Sequence, residues 1–284
     1  MHLSGLFWYP IKSCRGLPAD SVTLDARGIA GDREYLVVDA AGRFLTQREH
    51  PRLALVDPRP GKEAFGLSAP GEGHCEFRPT TDGPRLVVTI WRDHCTGIDQ
   101  GDPAAEWLSG FLGTPCRLVR MAADHPRPVD PEYALTADDQ VAFSDGFPLL
   151  LVTEESLADL NRRLPDSLPM NRFRPNIVVA GAEPYADDGW GRIRLGELVA
   201  TAVKPCIRCQ ITTTDQYTAA VGTEPLRTLR TYRYLRGRGV WFGQNLIPAR
   251  AGSLRIGDPV EVQSRRFSEL LAQGHPDEPQ HRNR

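Results

Sequence analysis

Lysine is almost missing from this chain: Lys12, Lys62 and Lys204 stand among 34 basic residues, and the rest are arginine. That scarcity leaves little room for Schiff-base chemistry and makes each lysine a candidate for a specific task. No stretch of 18 apolar residues occurs, which excludes a membrane-crossing helix. The start, MHLSGLFWYPIKSC, has no basic n-region and no small-residue cleavage site, so a cytoplasmic protein without leader or anchor is expected. Excess charge is missing too. Thirty-four basic residues against 36 acidic ones give a net charge of −2, so no global field gathers a nucleic-acid polymer or an anionic membrane. Any anion site has to be local. Histidine is absent between His125 and His275, and cysteine is absent after Cys209. Without a secretory signal, the six cysteines read as reduced thiols or metal ligands rather than disulfides.

The chain has 284 residues, a prior of two packed domains or one large one, and a hydrophobic fraction of 40%, enough for a sizeable core. With 26 Gly and 24 Pro, many turns and few long helices are expected, hence a β-rich fold. LFWYPI reads as a first strand, and EYLVVD and RFLTQR as a hairpin about a D-A-A-G turn. RLVVTIW (85–91) and CRLVRM are further strands, and 103–113 has helical spacing closed by Gly113. The Pro- and Asp-rich stretch 123–140 reads as a linker or long surface loop, placing a boundary between parts 1–122 and 123–265. In the second part FPLLLVTEESLADLNRRL runs from a buried strand into a helix capped at Thr153, and FRPNIVVAG is another buried strand. IRLGELVATAVKPCIRCQITTTDQ reads as two strands crossing a break at Pro205, PLRTLRTYRYLRG (225–237) as a helix, and the remainder as short strands. After Arg265 a single amphipathic turn gives way to GHPDEPQHRNR, which is too polar to pack, so 266–284 is expected to be a tail that frays.

The sharpest chemical feature is K-P-Cys206-Ile207-Arg208-Cys209-Q-I-T-T-T-D. Zinc needs two more ligands, which neither a second Cys pair nor a His pair supplies. Thioredoxin-type chemistry wants a helix after the first cysteine, whereas Ile-Thr-Thr-Thr argues for strand. Two half-buried thiols at a strand end are the bland reading. The sharper one is a thiolate near Arg208 and Lys204 that binds one soft or high-valent metal. His74-Cys75 and His94-Cys95 do not compete, because adjacent strand residues point to opposite faces.

Four short motifs hold groups suited to anions: Lys12-Ser13-Cys14-Arg15, Asp32-Arg33, Arg174-Pro175-Asn176 and Gln244-Asn245. Arg174 opens an otherwise apolar strand, where an unpaired guanidinium is costly, so a buried arginine there calls for an anion.

Together these motifs resemble a known family. YPIKSCRG, the pair at 32–33, SDGFPLLLVTEESLADLN, NRFRPNIVV, CIRC-QITTTD, EPLRTLRTYR, FGQN and LRIGDPVEV follow one another as in two-part MOSC proteins, similar to the mitochondrial amidoxime-reducing component and its bacterial relatives. The resemblance spans residues 3 to 262. It implies a mainly β fold with some α (α+β), in which an N-terminal β-barrel and a MOSC domain hold a molybdenum cofactor (molybdopterin) between them. It implies Cys209 as the thiolate on molybdenum. Lys12, Ser13, Arg33, Arg174 and Asn176 would hold the pterin phosphate and ring, while Asp145, Cys206, Arg208 and Asn245 would line the cofactor. Relatives often have Ser where Ile207 stands and can have Thr where Gly146 stands, so contacts at these two places come from the backbone. The implied activity is reduction of N-hydroxylated compounds, with electrons from a separate ferredoxin-like or flavin reductase, a small-molecule substrate, and a monomeric chain. Asp145 is the nearest candidate for proton delivery. Two other readings remain open. One is a non-catalytic cofactor carrier or sulfur-transfer module; the other is a β-barrel binding protein whose Cys pair is structural.

Overall fold

The computed structural model describes residues 1–61 and 63–268. Lys62 and positions 269–284, most of the segment expected to fray, lie outside the described residues. The fold is mainly β with short helices. Its largest sheet has nine strands; along the main path they run Val260–Val262, Arg192–Leu195, Leu198–Ile207, Gly239–Pro248, Leu149–Thr153, Ile177–Ala180, His2–Trp8 and Leu17–Pro18, with Tyr234–Leu235 paired to Gly239–Pro248. Leu149–Thr153 and Ile177–Ala180 are parallel, and the helix Glu154–Arg163 makes the crossover such a pair requires. These strands bury both faces, which is why LLLV and IVV read as unbroken apolar runs: Leu151 packs with Leu3, Ile177 and Leu246, while Val152 packs with Leu160, Phe173 and Phe242.

A second sheet of four strands, Tyr35–Asp39, Cys116–Met121, Asp93–Asp99 and Arg85–Ile90, belongs to the first half of the chain. The helix Asp102–Leu112 covers it through Ala104, Leu108 and Phe111. Gly113 ends this helix in the left-handed region, φ 69°, donating to Ser109 O.

Both ends of the chain contribute to shared sheets. His2–Trp8 pairs with Ile177–Ala180, and Ser21–Asp25 pairs with Gly252–Arg255, so two strands of the first 25 residues are hydrogen-bonded across the boundary expected at 122/123. The segment Tyr9–Arg15 then crosses from the large sheet to the four-stranded one, where Ile11 bridges Tyr35.

Several local expectations need correction. The arm RFLTQR is not a strand: it makes two isolated bridges, Phe44 to Val38 and Arg43 to Thr89, after which the chain turns and buries Thr46 and Gln47. The stretch 123–140 is not a plain surface loop, because Arg127 and Val129 are buried within it. Pro205 does not break its strand; Leu198–Ile207 runs through it with bulges on either side. Ile-Thr-Thr-Thr forms a 3-10 turn, Gln210–Thr213, since Thr212 and Thr213 hydroxyls donate to the carbonyls of Cys209 and Gln210 and curl the chain. The helix expected over 225–237 is four residues long, Leu226–Leu229. Arg233 leaves it to form a buried pair with Asp188. The last strands are not all short, as Gly239–Pro248 has ten residues.

Candidate active site

Where the segments meet lies a cavity of about 680 Å³. All twelve residues that the family resemblance assigns to the site line it: Lys12, Ser13 and Arg33 from the first half, and Asp145, Gly146, Arg174, Asn176, Cys206, Ile207, Arg208, Cys209 and Asn245 from the second.

Backbone strain aims several of these side chains. Six non-glycine residues in the described structure have positive φ, and four of them, Ser13 (67°), Arg33 (48°), Trp91 (56°) and Arg174 (52°), are on the cavity wall. Such residues cost on the order of 1–3 kcal/mol each and persist only where their surroundings hold them. At Ser13 the turn is held by Cys14 N–H donating to Ile11 O at 3.1 Å. Ile11 and Cys14 sink into the core while Lys12 and Ser13 face the cavity.

Arg33 is fully engaged. Its Nη1 donates to Asp32 Oδ2 at 2.5 Å and Asn176 Oδ1 at 2.9 Å, and its Nη2 to Arg174 O at 3.2 Å. Asn176 also clamps the wall, accepting from Leu150 N–H at 3.2 Å and donating to Phe7 O at 3.2 Å. Arg174 is different: it donates to Cys14 O at 2.7 Å and to Gln216 Oε1 at 3.4 Å, and no carboxylate among the described residues pairs with it. Burial pulls its guanidinium down to about 10, so it is still a cation at neutral pH. Both arginines lie over the Tyr9 ring, at 4.1 and 4.3 Å.

The two cysteines of the Cys pair meet different arginines. Cys206 Sγ accepts from Arg208 Nη1 at 2.9 Å, and burial, the largest influence, pushes this thiol up. Cys209 caps the 3-10 turn, and its Sγ accepts from Arg48 Nη2 at 3.0 Å. Gly243 (φ 82°) lets the strand Gly239–Pro248 pass close to Leu151 O, where a Cβ would come within 2.6 Å. The next two residues then face opposite ways: Gln244 bonds the buried Asp188, and Asn245 lines the cavity.

Electrostatics give the cavity its character. Eight cations line it, Lys12, Arg33, Arg92, Arg127, Arg172, Arg174, Lys204 and Arg208, against three carboxylates, Asp93, Asp130 and Asp145. Arg92, Arg174, Lys204 and Arg208 have no salt-bridge partner among the described residues. Arg172 Nε, Arg208 Nε and Ser144 Oγ are buried with no partner. Surplus positive charge and unspent donors call for a polyoxygenated anion such as a phosphate. Among the described residues no three His, Cys, Asp or Glu side chains converge, so a metal held here would need ligands besides those the protein groups into one cluster. The residues present therefore fit an anionic, metal-carrying organic group.

Lys12 Nζ donates to Asp145 Oδ1 at 2.5 Å. Burial pulls the ammonium down to about 8, with Asp145 opposing. For Asp145 burial pushes upward, but Lys12, Arg48 and the Trp91 indole N–H outweigh it and hold the carboxyl well below its ordinary range. Asp145 is therefore an anion at neutral pH with no proton to give, contrary to the expectation that it delivers one.

Sequence reasoning missed Arg48, Trp91, Arg127 and Arg172. Arg127 lay in the presumed linker, yet it is 3% exposed, pairs with Asp93 at 2.8 Å and donates to the carbonyls of Ala142 and Ser144. Its isolation in an otherwise aperiodic HPRPVDP stretch was the only available signal.

The family described as "MOSC N-terminal beta barrel domain" matches residues 1–115, and "MOSC domain" matches residues 138–261. Mitochondrial amidoxime-reducing component 1 of Homo sapiens is 35% identical over 277 residues, covering 90% of this chain and 81% of its own length. The Mus musculus component 1 is 36% identical, covering 90% and 80%. Component 2 of Bos taurus is 34% identical, covering 91% and 82%.

Proposed function

This chain belongs to the MOSC-domain family, and on that premise we propose that its cavity holds a molybdenum cofactor and that the protein reduces N-hydroxylated compounds such as amidoximes. The reading is carried by one observation: the Cys206–Cys209 pair faces a cavity whose guanidinium groups outnumber their carboxylate partners, and within the pair it is the Cys209 sulfur that Arg48 meets. When bound, the cofactor supplies two-electron removal of oxygen from nitrogen, with electrons from a separate donor protein.

The chain's own residues have distinct parts. Cys209 is the thiolate ligand, and the Arg48 guanidinium 3.0 Å away offsets the charge that a metal-bound sulfur carries. Arg174, Arg208 and Ser13 bind the anionic end of the cofactor, while Arg33, Asp32 and Asn176 fix the wall they stand on. Lys12 Nζ, not Asp145, holds a transferable proton near neutral pH, and Asp145 orients it.

The test is turnover by cofactor-loaded protein under a chemical reductant. Benzamidoxime should be converted to benzamidine; Cys209→Ser should abolish turnover and lower molybdenum content, whereas Cys206→Ser should keep most of the metal. Protein that retains cofactor without turnover is a carrier, and equal metal loss in both variants overturns the assignment of the ligand to Cys209.

A further inference from the structure

Trp91 stands at the tip of the two-residue turn joining Arg85–Ile90 to Asp93–Asp99, with φ at 56°. Tight hairpin turns put glycine or asparagine in that region, and a bulky aromatic seldom takes it. Burial gives no compensation, because 47% of the residue is exposed. The indole is nonetheless held from three sides. Its Nε1–H donates to Asp145 Oδ1 at 3.2 Å, Phe44 meets it edge to face at 5.0 Å, and the Arg48 guanidinium lies 4.7 Å from its centroid. That same guanidinium touches Cys209 Sγ, so one planar group separates the ring from the thiol. Beside Asp145, Gly146 leaves open space: a Cβ built there would meet no atom within 4 Å. Its φ is not in the left-handed region, so backbone conformation does not require glycine.

We propose that Trp91 and Gly146, on either side of Asp145, bound a slot in the cavity that Cys209 also lines, and that it receives planar aromatic N-hydroxylated compounds, making Trp91 a specificity-determining residue. The proposal rests on the reading of the site as an N-hydroxyl reductase. An aryl amidoxime is a flat conjugated system, and an indole face rewards such a surface through dispersion and its quadrupole; an aliphatic amidoxime offers no ring to stack. The bond to Asp145, itself tied to Lys12, fixes the indole orientation. A side chain at 146 would fill the slot.

Calorimetric titration of cofactor-loaded protein with benzamidoxime and with acetamidoxime tests this, alongside turnover under a chemical reductant. Trp91→Gly suits a φ of 56° and should keep the melting temperature. Its Kd for benzamidoxime should rise about tenfold, with at least a fivefold smaller loss for acetamidoxime, and the ratio of their kcat/KM values should fall to match. Gly146→Thr should shift the same ratio in the same direction. Equal losses for both compounds, or an unchanged ratio in both variants, overturns the slot. Wild type that binds benzamidoxime through Trp91 without reducing it upholds the slot and overturns the reductase reading; wild type that reduces it with a ratio indifferent to both substitutions does the reverse.

Discussion

Arg33 and Arg174 share the Tyr9 ring, yet what surrounds their charges differs. Arg33 neutralises Asp32, a carboxylate only 4% exposed that also accepts from Tyr9 N–H at 2.7 Å. Arg33→Ala would strand that buried anion, and the expected loss in chemical denaturation is about 3–5 kcal/mol. Arg174 neutralises no carboxylate, so Arg174→Ala strands none, and the cofactor-free protein should stay within about 1 kcal/mol of wild type because the burial of an unpaired cation is relieved. Molybdenum content of the purified variant should instead fall severalfold. The pair separates folding from cofactor binding at neighbouring positions. Strain follows the same division: four of the six left-handed non-glycine residues cluster on the cavity wall, where only local geometry could have revealed them.

At the scale of elements, legibility followed how local each cause was. The helix Asp102–Leu112 was readable because its spacing and its Gly113 stop lie within one stretch of chain. So was the start of Glu154–Arg163, where Thr153 Oγ1 accepts from Ser156 N–H at 3.3 Å. Thr153 is fully buried, and Thr153→Ala should cost about 1 kcal/mol, read as a lower melting temperature. The helix expected over 225–237 failed for a distant reason: Arg233 pairs with Asp188, 45 residues away, and Tyr234–Leu235 joins a sheet edge. Pattern within 13 residues carries no trace of either. The same holds for the site. Lys12, Arg33, Arg174 and the Cys pair were legible as motifs, whereas Arg48 and Trp91 reach Cys209 and Asp145 only through the packing of one half against the other.

For the whole molecule, a charged network lies behind the cavity. Asp188 takes both arms of Arg233 at 2.6 and 2.8 Å, Gln244 bonds Asp188, and Arg266 bonds Gln244. Burial first, then the Asp188 carboxylate, pushes neighbouring Asp187 up to about 7, with Arg233 opposing. In the unfolded chain an Asp titrates near 4. The folded state therefore holds this proton more tightly, and the stability it lends is present at low pH and lost as pH rises from about 4 through about 7. Asp187→Asn removes the titration, so its unfolding midpoint should gain on wild type between pH 5 and pH 8; parallel curves would show that Asp187 does not carry the effect.

The pairing of Ser21–Asp25 with Gly252–Arg255, and of Leu3 N–H with Asp258 O at 2.9 Å, sets the timetable of synthesis. As the chain leaves the ribosome, Ser21–Asp25 meets Gly28–Ile29 at once, but its other edge stays bare until Gly252–Arg255 is made, more than two hundred residues later. An edge left open that long is exposed to wrong pairing, and a stop codon before residue 252 would release a product in which Ser21–Asp25 lacks the strand Gly252–Arg255.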